Sequence, residues 1–212
     1  MNVPNLSSAF SSGERSEKRT QASRLRMGIL RFDFDHEWTV KMTERAFMSI
    51  DCMVVTVSDT RTIDTDRSGA IIVERLESMG HHVVDRRIVP DEVHEIQSAV
   101  RAAMASPEVV AVILTGGSGI TRRDVTPDAV AELGSKHIPG FGELFRWLSY
   151  ADIGPSTIQS RADAWLCDET LAFVLPGSAG AVTLAMDKIL IDQLDVRTRP
   201  CNFVQLLDRI RS

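Results

Sequence analysis

The stretch Val109-Val110-Ala111-Val112-Ile113-Leu114-Thr115-Gly116-Gly117-Ser118-Gly119 decides the fold of this chain. Its first six residues are all apolar and mostly branched, which is typical of a strand buried on both faces. Two hydroxyl residues and three glycines make up the next five positions. The run therefore predicts a central strand of a parallel sheet that ends in a loop with unusual backbone freedom.

The segments on either side of this strand alternate between apolar runs and amphipathic stretches. We predict further strands over 50–57, 82–89, 156–161 and 171–175, the last two forming an antiparallel edge around a turn at 168–170. We predict helices over 68–79, 91–104, 128–133, 140–150 and 179–194, with Asp91 as the N-cap of the second. Strands and helices in this order predict a mostly parallel sheet covered by helices on both faces.

Composition limits the function classes. The chain has 212 residues, 43% of them hydrophobic, and a net charge of −5. This balance argues against a nucleic-acid binder, and no apolar run reaches the roughly 18 residues of a membrane span. The cysteines are three in number and far apart, which indicates a reducing cytoplasm without a disulfide framework. Residues 1–45 are polar and aperiodic, so we expect a disordered extension before a domain over 46–212.

Four polar loops follow the predicted strands. They are Ser58-Asp59, Pro90-Asp91, the glycine-rich segment from Thr115 to Asp124, and Pro176-Gly177-Ser178. In open parallel sheets ligands bind beyond the carboxyl ends of the strands. We therefore expect these loops to meet at one edge and form one site.

The glycine loop has the chemistry of an anion cradle, because glycines let backbone N–H groups approach a phosphate closely. It is not a Walker A loop, since no Gly-Lys-Ser/Thr follows. It is not a dinucleotide fingerprint either, since Arg122 stands where a third glycine belongs. A tight turn without a ligand is the alternative interpretation.

Acidic and hydroxyl side chains in these loops each have two interpretations. Asp124 could ligate Mg²⁺ together with substrate phosphates, or could pair with a neighbouring arginine such as Arg123 or cap a helix. Asp91 and Ser178 stand where helix N-caps belong, and Asp59 stands in a common turn sequence.

A further pair of charged residues opens the helix predicted at 140. Glu143 and Arg146 are one turn apart and could pair with each other or line a pocket. The five histidines show no metal-ligand spacing.

Taken together, the motifs of this chain resemble those of one family. Ser58-Asp59-Thr60-Arg61, the glycine loop with Arg123-Asp124-Val125-Thr126, Pro139-Gly140-Phe141-Gly142-Glu143 and Leu175-Pro176-Gly177-Ser178 occur in this order. They are similar to the motifs of the MoaB/MogA molybdopterin-binding proteins, and the similarity extends from about residue 47 to the C-terminus. The chain departs from the family at Ser118, where threonine is usual.

The resemblance implies a three-layer α/β/α fold, a homotrimer or homohexamer, and a molybdenum-insertion partner protein. It also implies Mg²⁺-dependent transfer of AMP from ATP to the terminal phosphate of molybdopterin, which releases pyrophosphate. Asp91 and Asp124 would be catalytic, with Asp124 binding the metal. The implied substrate-binding residues are Ser58, Asp59, Thr115, Gly116, Gly117, Ser118, Gly119, Glu143, Arg146, Pro176, Gly177 and Ser178.

Two other functions fit the same motifs. A non-catalytic molybdopterin carrier or scaffold would bind the pterin without turning over ATP. A relative of the competence-damage-inducible (CinA) proteins would hydrolyse nucleotide pyrophosphates such as ADP-ribose, although the chain lacks their second domain.

Overall fold

The computed structural model describes residues 41–42 and 44–211. Most of the predicted disordered extension, 1–45, lies outside these residues. Strand β1 (Lys41–Met42) falls within 1–45 and pairs antiparallel with β8 (Thr198–Arg199) near the C-terminus.

The centre of the fold is a six-stranded sheet with the order β3-β2-β4-β7-β6-β5. The first four strands in this order are parallel and the last two pairings are antiparallel, which confirms the predicted mostly parallel sheet. In sequence order the strands are β2 (Asp51–Val57), β3 (His82–Val89), β4 (Val109–Thr115), β5 (Lys136–His137), β6 (Asp163–Cys167) and β7 (Thr170–Leu175).

Helices connect the strands and cover the sheet. The α-helices are α1 (Arg67–Met79), α2 (Val93–Met104), α3 (Thr126–Ala131), α4 (Pro139–Ile153), α5 (Ala179–Ala185), α6 (Ile191–Gln193) and α7 (Leu207–Ile210). A π-helical turn, Met186–Leu190, joins α5 to α6, and 3₁₀ turns span Gly154–Gln159 and Val204–Leu206.

Two separate hydrophobic cores lie on opposite faces of the sheet. One packs Ile113 of β4 with Leu76 of α1 and Phe145 of α4. The other packs Leu114, the next residue of β4, with Ile96 of α2. Successive side chains of a strand point to opposite faces, so β4 contributes to both cores and carries polar groups only at its end. This arrangement confirms the three-layer α/β/α prediction.

One predicted strand is wrong. Residues 156–161 do not extend; most of them belong to the 3₁₀ turn Gly154–Gln159, and the strand that pairs with β7 begins at Asp163. Gly154 has a φ of 58°, which ends α4, and Pro155 then fixes a helical φ at the start of the turn. The antiparallel edge exists, displaced toward the C-terminus.

The predicted cap at Asp91 is also wrong. Helix α2 has Glu92 at its N-cap position, and within the described part of the chain no side chain caps it. The Asp91 backbone N–H instead donates to the Asp59 carboxylate at 3.1 Å, and the Asp91 side chain lies against Gly117. Two other predicted helix boundaries are confirmed: Gly80 ends α1 with a left-handed φ of 94°, and Ser178 caps α5.

Among residues 41–42 and 44–211, no helix combines the length and the apolar character that crossing a bilayer requires.

Candidate functional site

The structure brings the glycine loop and the Pro-Gly-Ser turn together at the carboxyl edge of the sheet. The Gly116 N–H donates to the Leu175 carbonyl at 3.1 Å, and the Thr115 hydroxyl donates to the Pro176 carbonyl at 2.9 Å. A Cβ on Gly177 would lie 3.3 Å from the Gly116 Cα, so the two loops are in backbone contact. Neighbouring strands β4 and β7 end side by side, and their loops form one surface.

The backbone requires glycine at Gly116 and Gly117, the first two glycines of this loop. Gly116 has a φ of 106°, and a Cβ there would lie 2.2 Å from the Val57 carbonyl oxygen. Gly117 has a φ of 58°. Residues with side chains rarely adopt such backbone angles, so the sequence makes this tight approach of β2 and β4 possible.

Asp91 lies against Gly117. Its Oδ1 would be 2.9 Å from a Cβ at Gly117, and the Thr126 Oγ1 would be 2.5 Å from the same point. The Thr126 hydroxyl is fully buried and has no hydrogen-bond partner among the described residues. Burial raises the pKa of Asp91, and the nearby negative charges of Asp59 and Asp124 add to this shift.

Asp124 lies against Gly119. A Cβ at Gly119 would be 2.9 Å from the Asp124 Oδ2, and that oxygen accepts the Thr121 N–H at 2.8 Å. Burial acts to raise the pKa of Asp124, but hydrogen bonds from Thr121 and from the Gly119 N–H outweigh it and the pKa is lowered. The second half of the glycine loop is thus an anion cradle, and the anion that it binds is the carboxylate of Asp124.

An ion-pair network ties the other two loops to this one. The Arg123 guanidinium binds the carboxylates of Asp59 and Glu92. The pKa of Asp59 is lowered by the Asp91 N–H first and by Arg123 second. Arg123 therefore pairs with Asp59 rather than with its neighbour Asp124.

Arg161 is a residue of the site that no sequence motif indicates. Its guanidinium donates from Nε to the Gly119 carbonyl at 2.7 Å, from Nη2 to the Asp124 carbonyl, and from Nη1 to both oxygens of Asp128. Its backbone N–H donates to the Ser118 carbonyl at 2.9 Å. A single arginine at the end of a predicted strand carries no local signal of such contacts.

Two clefts flank the Pro-Gly-Ser turn. One, of about 290 Å³, includes Ser58, Arg61, Arg67 and Ser68 in its lining together with Gly116 and Ser178. The other, of about 460 Å³, includes Ser118, Asp124, Phe145 and Ile153 together with Gly177 and Ser178. Most of the predicted substrate-binding residues thus line one of two cavities that meet at Gly177 and Ser178.

Three predicted substrate-binding residues, Asp59, Glu143 and Arg146, line neither cleft, and neither does the predicted catalytic Asp91. Asp59 binds the Asp91 N–H and Arg123. Glu143 is exposed and Arg146 does not pair with it; Arg146 donates to the Ala162 carbonyl at 2.9 Å. Arg146 lines a separate cavity of about 440 Å³ that also contains His137 and Asp163. Neither Glu143 nor Arg146 lines either cleft, because α4 presents Phe145 and Ser149 to the larger cleft instead.

The oxygen atoms around Gly117 fit a magnesium ion that arrives with substrate phosphates. Across residues 41–42 and 44–211 there is no group of three or more His, Cys, Asp or Glu side chains arranged to hold a metal alone. Mg²⁺ commonly binds one or two carboxylates and takes its other ligands from phosphates and water. Asp91 beside Gly117 and Asp124 beside Gly119, with the Thr126 hydroxyl that has no partner among the described residues, supply such a partial set.

The fold and this edge define a class: open α/β proteins, in which ligands bind beyond the carboxyl ends of parallel strands. In this chain a glycine loop and two nearby carboxylates stand at that edge. The family model described as a probable molybdopterin binding domain matches residues 53–196.

Comparisons with individual proteins agree with that match. The chain is 49% identical over 146 residues to molybdenum cofactor biosynthesis protein B of Bacillus subtilis (strain 168), covering 68% of this chain and 86% of that protein. It is 43% identical over 157 residues to the protein of the same name from Escherichia coli (strain K12), covering 74% and 92%. A crystal structure of a molybdenum cofactor biosynthesis protein B superposes with a TM-score of 0.71 at 40% identity, covering 79% of this chain and 99% of that one.

The chain belongs to the MoaB/MogA molybdopterin-binding family, whose members are molybdenum cofactor biosynthesis proteins.

Proposed function

We propose that this protein transfers AMP from ATP to the terminal phosphate of molybdopterin and releases pyrophosphate. The observation that carries the proposal is the placement of two carboxylates, Asp91 and Asp124, each against a glycine of the same loop. Family membership and the clefts on either side of that loop support molybdopterin and ATP as the two substrates.

The reaction joins two anions, so their repulsion is the main barrier. A terminal phosphate oxygen of molybdopterin attacks the α-phosphorus of ATP and forms the new P–O bond. The bond from the α-phosphorus to the bridging oxygen breaks, and pyrophosphate leaves with that electron pair. Bound Mg²⁺ would neutralise charge on the phosphates, with Asp124 and Asp91 as its protein ligands.

The protein's own groups supply positioning and electrostatics. In the smaller cleft, Arg61 and Arg67 add positive charge near the first turn of α1. Gly177 and the Ser178 end of α5 lie where the clefts meet, so phosphates from both sides can approach one another there. Hydrogen bonds from Gly119 and Thr121 keep Asp124 ionised and ready to ligate a cation. No protein nucleophile is needed.

The test is pyrophosphate release from ATP, Mg²⁺ and molybdopterin. We expect turnover by the unmodified protein and a loss of about a hundredfold or more in kcat/KM for Asp124→Asn and Asp91→Asn, since each substitution removes charge from the site. Asp168→Asn is the matched control. Asp168 is exposed in the turn before β7, at the opposite end of that strand, and its φ of 51° suits asparagine.

The same assay separates the carrier, which would bind molybdopterin without releasing pyrophosphate. A nucleotide pyrophosphatase is separated by incubation with ADP-ribose without the pterin, which it would hydrolyse to AMP and ribose 5-phosphate. Absence of pyrophosphate release from ATP and molybdopterin would exclude the adenylyltransferase.

We also propose that the protein is a homo-oligomer, a trimer or hexamer, that passes its product to a molybdenum-insertion protein. Apolar residues recur every three positions along the outer side of α4 and are substantially exposed: Leu144 (41%), Trp147 (49%), Tyr150 (53%) and Ile153 (55%). Ile158, in the 3₁₀ turn that follows, is 82% exposed. We call these five residues the α4 stripe. Contiguous exposed apolar surface of this kind is typical of subunit interfaces.

A further inference from the structure

Arg161 holds the segment from Ser118 to Asp124 at both ends through main-chain carbonyls. Its backbone N–H and Nε bind the carbonyls of Ser118 and Gly119 at 2.9 and 2.7 Å, and Nη2 binds the carbonyl of Asp124. Asp128 on α3 binds the remaining Nη1 through both carboxylate oxygens, at 3.0 and 2.9 Å. The guanidinium is therefore a bridge between the glycine loop and the start of α3.

These contacts determine which way the loop amides point. In a trans peptide the C=O and the following N–H are antiparallel. Because the Ser118 carbonyl points to Arg161, the Gly119 N–H points away from it. The Asp124 carboxylate lies against Gly119, with its Oδ2 2.9 Å from a Cβ built there, and the Gly119 N–H helps to lower its pKa. The Thr121 N–H binds the same carboxylate at 2.8 Å. Carbonyls thus lie on the Arg161 side of the segment, and amide donors face the carboxylate.

A lysine would not reproduce this arrangement. The guanidinium presents its N–H donors in a fixed planar fork. Here three of its nitrogens bind three residues, Gly119 and Asp124 in the glycine loop and Asp128 on α3. An ammonium group is a point charge on a flexible stem and would satisfy fewer of these acceptors at once. Released carbonyls of Gly119 or Asp124 would be free to rotate toward the cleft, where they would repel a phosphate.

We propose that Arg161 is the positioning residue of the site: it locks the peptide planes between Ser118 and Asp124 so that Gly119 and Thr121 hold the Asp124 carboxylate in the cleft. The inference rests on the proposed function in one respect, that Asp124 serves the reaction. Arg161 itself acts through Asp124 and need not touch substrate.

The first experiment measures amide hydrogen exchange at Gly119 and Thr121 in the full chain without ligand. In Arg161→Gln we expect both amides to exchange about tenfold faster or more, which corresponds to the loss of a charge-assisted hydrogen-bond network. We expect an intermediate rate in Arg161→Lys. The matched control is Arg75→Gln, because Arg75 has a similar exposed fraction (33% against 34%) and also binds a carboxylate, that of Asp187. It should leave both amides unchanged.

The second experiment measures how pyrophosphate release depends on the Mg²⁺ concentration. Arg161→Gln should raise the Mg²⁺ concentration needed for half-maximal rate by about tenfold, since a misplaced carboxylate binds the cation more weakly. Asp128→Asn should shift it in the same direction by less, and Arg75→Gln should not shift it.

The two proposals fail separately. Unchanged exchange at Gly119 and Thr121 in Arg161→Gln, or equal acceleration in Arg75→Gln, would overturn the positioning role. Accelerated exchange without any pyrophosphate release by the unmodified protein would support the positioning role and overturn the adenylyltransferase.

Discussion

At the scale of single residues, the site depends on positions where a side chain cannot fit. Gly116 and Gly117 take left-handed backbone angles and lie against the end of β2 and the side chains of Asp91 and Thr126. The sequence predicts this feature, because glycines clustered directly behind a buried strand indicate a backbone that residues with side chains rarely follow. It does not predict the contacts of Asp91, Thr126 and Arg161, since these depend on loops that come together only in the folded chain.

Replacing Gly116 with alanine should destabilise the fold. The new Cβ would meet the Val57 carbonyl oxygen at 2.2 Å, and a φ of 106° is strained for alanine. We expect a loss of about 2 kcal/mol or more in the free energy of unfolding, measured by urea denaturation. Gly140→Ala is the control, because a Cβ at Gly140 would have no described heavy atom within 4 Å. It lies in α4, where alanine should be neutral or stabilising.

Thiol reactivity should distinguish the three cysteines. Burial raises the pKa of Cys52 to about 12 and that of Cys167 to about 11, so neither presents a thiolate near neutral pH. Cys201 is exposed. Titration with a disulfide reagent at pH 8 should modify one thiol per folded chain and three in denaturant. Rapid modification of a second thiol in the folded protein, or of any thiol in Cys201→Ser, would contradict the burial of Cys52 and Cys167.

At the scale of elements, β2, β3, β4 and β7 were predicted to within about two residues. Strands β2, β4 and β7 are apolar because they are buried along nearly their whole length, whereas β3 is a partly exposed edge strand that carries three charged residues. The strand predicted over 156–161 is the exception. Its alternation of Thr157, Ile158 and polar residues suits an exposed strand, but Gly154 and Pro155 before it start a 3₁₀ turn instead. Tertiary anchoring stabilises that turn, since the Thr157 hydroxyl donates to the Arg146 carbonyl at 3.1 Å.

The segment after α6 should be sensitive to acid. The side chain of Arg197 lowers the pKa of Asp195 through hydrogen bonds, with the Arg197 backbone N–H adding to the effect and burial opposing it. A lowered carboxyl pKa contributes stability above the unfolded-state value, and that stability is lost as pH falls through the folded-state value. Asp195→Asn should therefore lower the Tm at pH 7, and the difference from the unmodified protein should shrink between about pH 5 and pH 2.

Asp208→Asn is the control for this pH dependence, because Asp208 is exposed on α7. A Tm difference for Asp195→Asn that stays constant across the acid range would show that the ion pair with Arg197 does not stabilise the folded protein.

At the scale of the whole molecule, the two faces of the sheet form the hydrophobic cores, and its carboxyl edge carries the polar loops. Helices α1, α4 and α5 cover one face, α2 and α3 cover the other, and both faces are fully packed. The proposed ligand site lies at the edge where β2, β4 and β7 end. The edge was predictable from the direction of the strands. The two clefts were not, because their walls come from α1, α4 and the 3₁₀ turn, which only the folded chain brings together.

Self-association through the α4 stripe can be tested by placing one charged side chain in the stripe. Trp147→Glu should convert the oligomer to a monomer in analytical ultracentrifugation, because a carboxylate in an apolar interface loses its hydration without gaining a partner. Val84→Glu is the control: Val84 is 50% exposed, on the edge strand β3 and outside the stripe. A monomeric unmodified protein, or an oligomer that survives Trp147→Glu, would contradict an interface at this helix.

The central claim is that phosphate groups and a divalent cation meet at the glycine loop between Asp91 and Asp124. The most direct measurement is a crystal structure with Mg²⁺ and an ATP analogue whose α,β-bridge cannot be cleaved. We expect the triphosphate beside Gly117 and Ser178, with Mg²⁺ on a carboxylate oxygen of Asp124 or Asp91. Phosphates bound away from this loop, or a cation that contacts neither aspartate, would contradict the claim.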